Sequence, residues 1–262
     1  MFKRSKLPYN QTFLFHGHKI NYQIYGKGKP VIFVHGAFTN SDPYKESLEL
    51  LGKKFEVNVI DLPGFGGSDV IKGKIHNTEL FSDTLGAFIK DKHLEKAPII
   101  ALSLGVIVTL KAVLKYNIGA DLVFVAAPGK TSNRLKTKFF ANLPIQIKRF
   151  LVSTNWGRRK ILLPVASANT GTSPHTSDMR LKVMSNTSNE AMVDSNYLKD
   201  IEIYEGYLSE VKNKMVFIYG EHDRMKHNRI GSIKEFIEIP GSGHNVFVES
   251  PDDIVKVLSQ LL

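Results

Sequence analysis

The chain has 262 residues, 42% of them apolar and 23% charged, and this make-up fits an ordinary globular protein with a sizeable core and excludes disordered, collagenous and coiled-coil classes. It has no cysteine, which removes disulfides, thiolate zinc sites and a cysteine nucleophile from consideration. The net charge is +10 and is concentrated: residues 130–199 hold 12 basic and 3 acidic side chains, a net of +9, against +1 for the remainder.

The segment TFLFHGHKINYQIYGKGKP predicts two strands around a Gly-His turn. VIFVHG, from Val31 to Gly36, is a short apolar run ending in glycine, as a buried parallel strand would be. DPYKESLELLGKK carries Tyr44, Leu48 and Leu51 at helical spacing, with Asp42 as N-cap and Pro43 as first helical residue. FEVNVIDLPG is the next strand, and HNTELFSDTLGAFIKDKHL an amphipathic helix with Leu80, Phe81, Leu85, Phe88 and Ile89 on one face. PIIALS and ADLVFVAAP are strands flanking the apolar helix GVIVTLKAVLKY.

After Pro128 this rhythm breaks into a basic segment, Ser/Thr/Asn-rich in its second half, that predicts a few helices. Alternation resumes with the strands MVFIYG and EFIEIPG, then a closing helix PDDIVKVLSQLL that opens on proline and two acids. The expectation is an α/β fold: a mostly parallel central sheet of about eight strands with helices on both faces. Its domains would be a core over 1–128 and 200–262, interrupted by an insertion over 129–199. No stretch approaches 18 uninterrupted apolar residues, and the N-terminal segment has no apolar run of signal-peptide length, so the expected location is cytoplasmic.

In an open parallel sheet the reactive groups collect at the carboxyl ends of the strands. Those ends carry His35-Gly36, Asp61, Ser103, Ala126-Ala127-Pro128, Glu221-His222-Asp223 and Gly241-Ser242-Gly243-His244. Ser103 sits in Ala101-Leu102-Ser103-Leu104-Gly105, between a strand and a helix. A sharp turn there holds the side chain out, and small residues two before and two after allow strand and helix to approach. A serine at such a junction can also be a plain N-cap. These ends hold two neighbouring carboxylates, Glu221 and Asp223, and more than one histidine, His222 and His244, with His227 close by in sequence. Only His244 follows the last strand. Gly64, Gly66 and Gly67 after Asp61 form neither a Walker nor a dinucleotide motif and look like a tight-turn device. No cluster has metal-ligand spacing.

These pieces together resemble the α/β-hydrolase fold superfamily along nearly the whole chain, as serine hydrolases of carboxylesterase or lipase type with a helical cap. The matching stretches are His35-Gly36-Ala37-Phe38, Asp61 to Ser68, the elbow around Ser103, Gly220 to Asp223, and Gly243-His244 with Glu249 and Pro251. Ala101 replaces the first glycine of the family's G-x-S-x-G elbow. The resemblance implies a nucleophile–acid–histidine order of Ser103, Asp223 and His244. It implies an oxyanion hole of the Leu104 amide and that of Ala37, with Phe38 as runner-up, and a structural role for His35. It implies a cap over 129–199, in which Phe139, Phe140, Phe150, Trp156, Leu162 and Leu163 would line an apolar tunnel under a cationic outer face, with Phe38 also in contact with substrate.

The expected activity is cleavage of carboxylic esters through an acyl-enzyme, with a small-molecule ester as substrate and no cofactor. Lysophospholipase or monoacylglycerol-lipase-like action at anionic membranes, C–C bond or enol-lactone hydrolysis, and a slow-turnover ligand receptor are the alternatives. Aspartate-nucleophile chemistry, as in haloalkane dehalogenases and epoxide hydrolases, is disfavoured by Ser103. No nucleic-acid partner is expected, since no reader motif accompanies the charge. The composition of the basic cap also suits weak contact with anionic membrane surfaces. Oligomeric state stays open.

Overall fold

The computed structural model describes residues 9–129, 142–164, 181–182, 184–193, 197–227 and 229–262. Eight strands form one sheet: β1 (Tyr9–Phe15), β2 (His18–Tyr25), β3 (Lys29–Val34), β4 (Phe55–Ile60), β5 (Ile99–Leu102), β6 (Leu122–Val125), β7 (Met215–Gly220) and β8 (Ile237–Ile239). Their order is β1-β2-β4-β3-β5-β6-β7-β8. The β1–β2 and β2–β4 pairs are antiparallel and all other pairs are parallel.

The central strands read as unbroken apolar runs because both faces of the sheet are covered. Successive side chains point to opposite faces. Thus Val31 and Phe33 of β3, Ile100 and Leu102 of β5, and Val123 and Val125 of β6 enter one core, while Ile32, Val34, Ile99, Ala101, Leu122 and Phe124 enter the other. The second core is closed by helices α2 (Thr78–Asp91) and α3 (Leu104–Tyr116). Helix α3 is buried over most of its circumference, hence its almost wholly apolar sequence. The first core is closed by α1 (Lys45–Leu51) and the C-terminal helix, with α1 packed on the latter.

Helix starts follow local chemistry. The Asn77 side chain accepts the Leu80 N–H at 3.1 Å and caps α2. Asp42 does not cap α1. It opens a 3-10 turn, Asp42–Tyr44, and its own N–H is taken by Asn40 Oδ1 at 3.1 Å, so Tyr44 precedes the α-helix.

Between β6 and β7 lie α4 (Ile145–Ser153), a helical turn Asn155–Gly157 running into a π-turn Arg158–Leu162, α5 (Asn189–Val193) and α6 (Tyr197–Glu210). Val152, Leu162, Leu163, Met184, Met192 and Val193 form a third, separate small core, against which Phe38 and Leu181 pack. The segment is tied to the sheet side by a Phe65–Thr187 bridge and by the Ser188 N–H donating to Gly64 O at 2.8 Å. The Arg158 guanidinium donates to Met184 O at 2.6 Å and to Asn189 Oδ1 at 3.1 Å, bracing the insertion from within. After β7 come α7 (Arg224–His227), α8 (Val246–Glu249) and α9 (Pro251–Leu261). Among the described residues no helix is long and apolar enough to cross a membrane.

One buried carboxylate organises the loops beside the site. Asp61 Oδ1 accepts the Ser41 N–H at 3.0 Å, and Oδ2 accepts from Asn21 Nδ2 at 2.8 Å and the Gly67 N–H at 3.1 Å. Gly66 has φ +52°, and a Cβ there would lie 2.4 Å from Asp61 Oδ2, so the turn needs glycine on both counts. Asp61→Ala leaves three donors without their acceptor. At about 1–3 kcal/mol per buried unsatisfied group, a loss of about 3 kcal/mol or more is expected. Thermal denaturation should read this as a fall in Tm of about 6–12 °C.

Candidate active site

Ser103 is the corner between β5 and α3. Its φ of 52° and ψ of −116° lie outside the favoured regions for an L-residue. Such a conformation costs about 1–3 kcal/mol. The flanking Leu102 and Leu104 are 2% and 4% exposed, and burying a leucine side chain contributes about 1.5–3 kcal/mol each, so the anchors outweigh the strain. The Ser103 N–H donates to Val125 O at 3.0 Å, which fixes the corner against the next strand. Gly105 is required by contact: a Cβ there would meet the carbonyl oxygens of Val34 and His35 at 2.7 and 2.8 Å. Ala101, which replaces the elbow's first glycine, is fully buried in the core under α3. Its methyl group is accommodated there.

The corner holds the Ser103 hydroxyl toward His244. His244 Nε2 lies 3.2 Å from Ser103 Oγ, and Nδ1 lies 3.1 Å from both carboxylate oxygens of Asp223. A carboxylate can only accept, so Nδ1 carries the proton and Nε2 is left to accept from the serine O–H. Asp223 is fully buried and His244 is 4% exposed. Three strand ends supply the three groups: Ser103 follows β5, Asp223 follows β7 and His244 follows β8. Among the described residues only the four-residue α7 and β8 intervene between Asp223 and His244, in keeping with their 21-residue separation.

Two holding contacts were not legible as such in the sequence. The Met225 N–H donates to Asp223 Oδ1 at 2.8 Å. An Asp bonding the amide two residues on is a turn signal, and Asp223-Arg224-Met225 at a helix start carries it. Glu249 accepts the Gly243 N–H and so fixes the turn that delivers His244. The rivals are placed elsewhere. Glu221 accepts the Gly241 N–H at 2.8 Å, a bond that holds its carboxyl below the usual range. His222 is 67% exposed and lies 3.8 Å from Glu221. The His227 side chain lies outside the described residues.

The loop after β3 passes directly beside the serine: a Cβ on Gly36 would lie 3.2 Å from Ser103 Cβ. His35 pins this loop. Its Nδ1 donates to Gly36 O at 2.8 Å and its Nε2 accepts the Leu62 N–H at 3.0 Å, joining the loops after β3 and β4. Ala37 packs on the large core, and Phe38 has φ +54° and packs on the small core of the insertion. Leu104 is the first residue of α3, where amides lack intrahelical acceptors. The helix dipole also favours negative charge at that point.

Burial pushes the His35 pKa below its ordinary 6.5, against the opposing pull of Asp61. The unfolded chain takes up this proton near 6.5 and the folded chain resists it, so His35 contributes full stability above that pH and loses it as pH falls. Tm should therefore decline from pH 7 to pH 5, and His35→Asn should show a shallower decline over the same interval.

The expected tunnel lining is only partly described. Phe139 and Phe140 lie outside the described residues. Leu162 and Leu163 are buried in the small core. Phe150 and Trp156 are corrected from lining to surface: they are 66% and 61% exposed. On α4 the fully buried position is Val152, and Phe150 stands two residues away, on another face.

Residues 31–257 match the family model described as Alpha/beta hydrolase family. The chain belongs to the alpha/beta hydrolase family. This alpha/beta hydrolase is 24% identical over 255 residues to AB hydrolase superfamily protein YisY of Bacillus subtilis (strain 168), spanning 90% of this chain and 92% of that protein. It is 33% identical over 86 residues to the pimeloyl-(acyl-carrier protein) methyl ester esterase of Vibrio campbellii (strain ATCC BAA-1116), which covers 33% of this chain and 30% of that protein. In fold it is similar to a thermophilic esterase from Thermogutta terrifontis, with a TM-score of 0.72 at 18% identity over 97% of both chains.

Proposed function

We propose that this alpha/beta hydrolase cleaves carboxylic esters through an acyl-enzyme formed on Ser103. The observation that carries the reading is the continuous relay from Ser103 Oγ through His244 to the buried Asp223, at 3.2 and 3.1 Å. A free serine alcohol is a weak nucleophile, and a histidine at hydrogen-bond distance makes it a competent one. In the proposed cycle Ser103 Oγ attacks the acyl carbon while His244 Nε2 takes its proton. Asp223 holds the ring's tautomer and stabilises the imidazolium. The oxyanion is held by the Leu104 amide and by that of Ala37, with Phe38 as the runner-up donor. His244 returns the proton to the leaving alkoxide and the alcohol departs. Water then gives a proton to His244 and attacks the acyl-enzyme, and collapse releases the acid and restores Ser103. The Vibrio campbellii relative is named a methyl ester esterase, which supports the same bond type.

The test is a p-nitrophenyl ester series of increasing acyl length, with Ser103→Ala as control. Steady-state turnover that the variant lacks supports the reading. Full activity in Ser103→Ala would overturn it, and a single stoichiometric burst without turnover would point instead to a slow-turnover receptor.

A further inference from the structure

Among the described residues Lys226 is the one lysine or arginine that is buried, at 8% exposed. It lies on α7, in the turn that opens at Asp223, and its N–H donates to Asp223 O at 3.1 Å. Its ammonium reaches acceptors on two segments. Nζ donates to Glu221 O at 2.6 Å, just before Asp223, and to Glu238 Oε2 at 2.5 Å, on β8. β8 is the strand that leads to His244. Burying an ammonium costs desolvation, and an apolar side chain of similar volume often packs as well or better. What such a side chain lacks is the N–H donors. Lys226 therefore contributes a directed tie between the two segments.

The tie falls where the backbone leaves a gap. The Glu221 N–H donates to Ile239 O at 2.9 Å and the His222 N–H to Ser242 O at 2.8 Å. Among the described residues these backbone ties between the two segments stop one residue before Asp223. The single turn of α7 is too short to hold itself. Met225 grips Asp223 Oδ1 but belongs to the same turn and moves with it. Arg229 holds the Lys226 carbonyl from the loop that follows α7, not from β8. The contact being held has little slack. His244 Nδ1 lies 3.1 Å from both Asp223 oxygens, long for a charge-assisted bond, so a small swing of the turn loses one contact or both. We propose that Lys226, paired with Glu238, is a positioning residue that holds the Asp223 turn against His244. The proposal rests on the Ser103–His244–Asp223 relay of the ester-cleaving reading and deepens it.

The experiment compares the full chain with Lys226→Met, which keeps the side chain's length and removes its donors, and with Glu238→Ala and Glu238→Gln. It has two readouts: kcat and KM on a p-nitrophenyl ester, and the proton NMR resonance of His244 Nδ1–H, which a bond to a carboxylate moves far downfield. Asp223→Asn identifies that resonance by abolishing it. Lys226→Met should lower kcat by roughly ten- to a hundredfold with little change in KM, as a misplaced catalytic group does, and should move the resonance upfield and broaden it. Glu238→Ala should act in the same direction and less. Glu238→Gln, whose amide oxygen still accepts from Nζ, should stay near the parent in both readouts. Thermal melting shows which variants are folded. Should Lys226→Met fail to fold, Glu238→Ala carries the test, since that side chain is 43% exposed. A parent without ester turnover overturns the ester-cleaving reading alone and leaves the resonance to decide on Lys226; a parent with turnover and no visible resonance leaves kcat to decide. Parent-like kcat in folded Lys226→Met and Glu238→Ala would overturn the positioning role, and so would lost kcat with the resonance unmoved. A parent with neither turnover nor resonance would overturn the relay and the positioning role with it.

Discussion

Ser103→Ala is expected to lower kcat on a p-nitrophenyl ester by about 10⁴- to 10⁶-fold, leaving the rate near that of the bare binding site. The variant removes one oxygen and keeps the Cβ, so the corner at φ 52° and the bond from its N–H to Val125 O are retained. Its Tm should therefore match the parent. Burst kinetics sharpen the result: the parent should release one equivalent of p-nitrophenol per chain before steady state when deacylation is slow, and the variant none. Variants of His244 should fall about as far, and combining them with Ser103→Ala should add little, because the groups act as one unit.

Asp223→Asn should cost about 10⁴-fold in kcat with little change in KM. The side chain keeps its shape, and its amide oxygen can still accept the Met225 N–H that now reaches Oδ1 at 2.8 Å. The amide NH₂ then faces His244 Nδ1, where the carboxylate accepted at 3.1 Å. Nδ1 must become the acceptor and the ring proton moves to Nε2, facing Ser103 Oγ. The histidine can no longer take the serine proton. Glu221→Gln is the matched control. That carboxylate is committed to the Gly241 N–H on the other side of the turn, so kcat should stay near the parent value. A large loss in Glu221→Gln with a small one in Asp223→Asn would reverse the assignment of the acid.

The sheet was legible because its strands are buried on both faces. VIFV, PIIAL and LVFV have no polar alternation to blur them, and turn residues punctuate each end. The three candidate site residues were legible for a related reason. Polar groups at the carboxyl ends of such strands have no packing role that apolar neighbours could not fill better. Their holders were less visible: Met225 acts through its amide, which any residue carries, and Glu249 reaches back six positions to Gly243. The insertion was read least well. IQIKRFLVS has apolar residues at positions 145, 147, 150, 151 and 152, which surround the helix instead of forming one stripe. Composition then counts Phe150 and Val152 alike, although one is 66% exposed and the other fully buried. Which of them faces inward depends on Leu162, Met184 and Met192, which are remote in sequence.

The separateness of the small core has a consequence for how such a protein can change over generations. Ser103, Asp223 and His244 stand on the ends of a sheet whose two cores take Ala191 from the described part of the insertion but none of Val152, Leu162, Leu163, Met184, Met192 and Val193. A lineage can therefore exchange residues around Val152, Leu162 and Met192 while the arrangement of Ser103, Asp223 and His244 is inherited intact. Phe38 is the point where that freedom narrows. It packs in the insertion's core while sitting in the strained loop that passes beside Ser103. Drift in the insertion that fails to suit Phe38 would be felt in the loop beside Ser103, so the insertion diverges around a fixed contact.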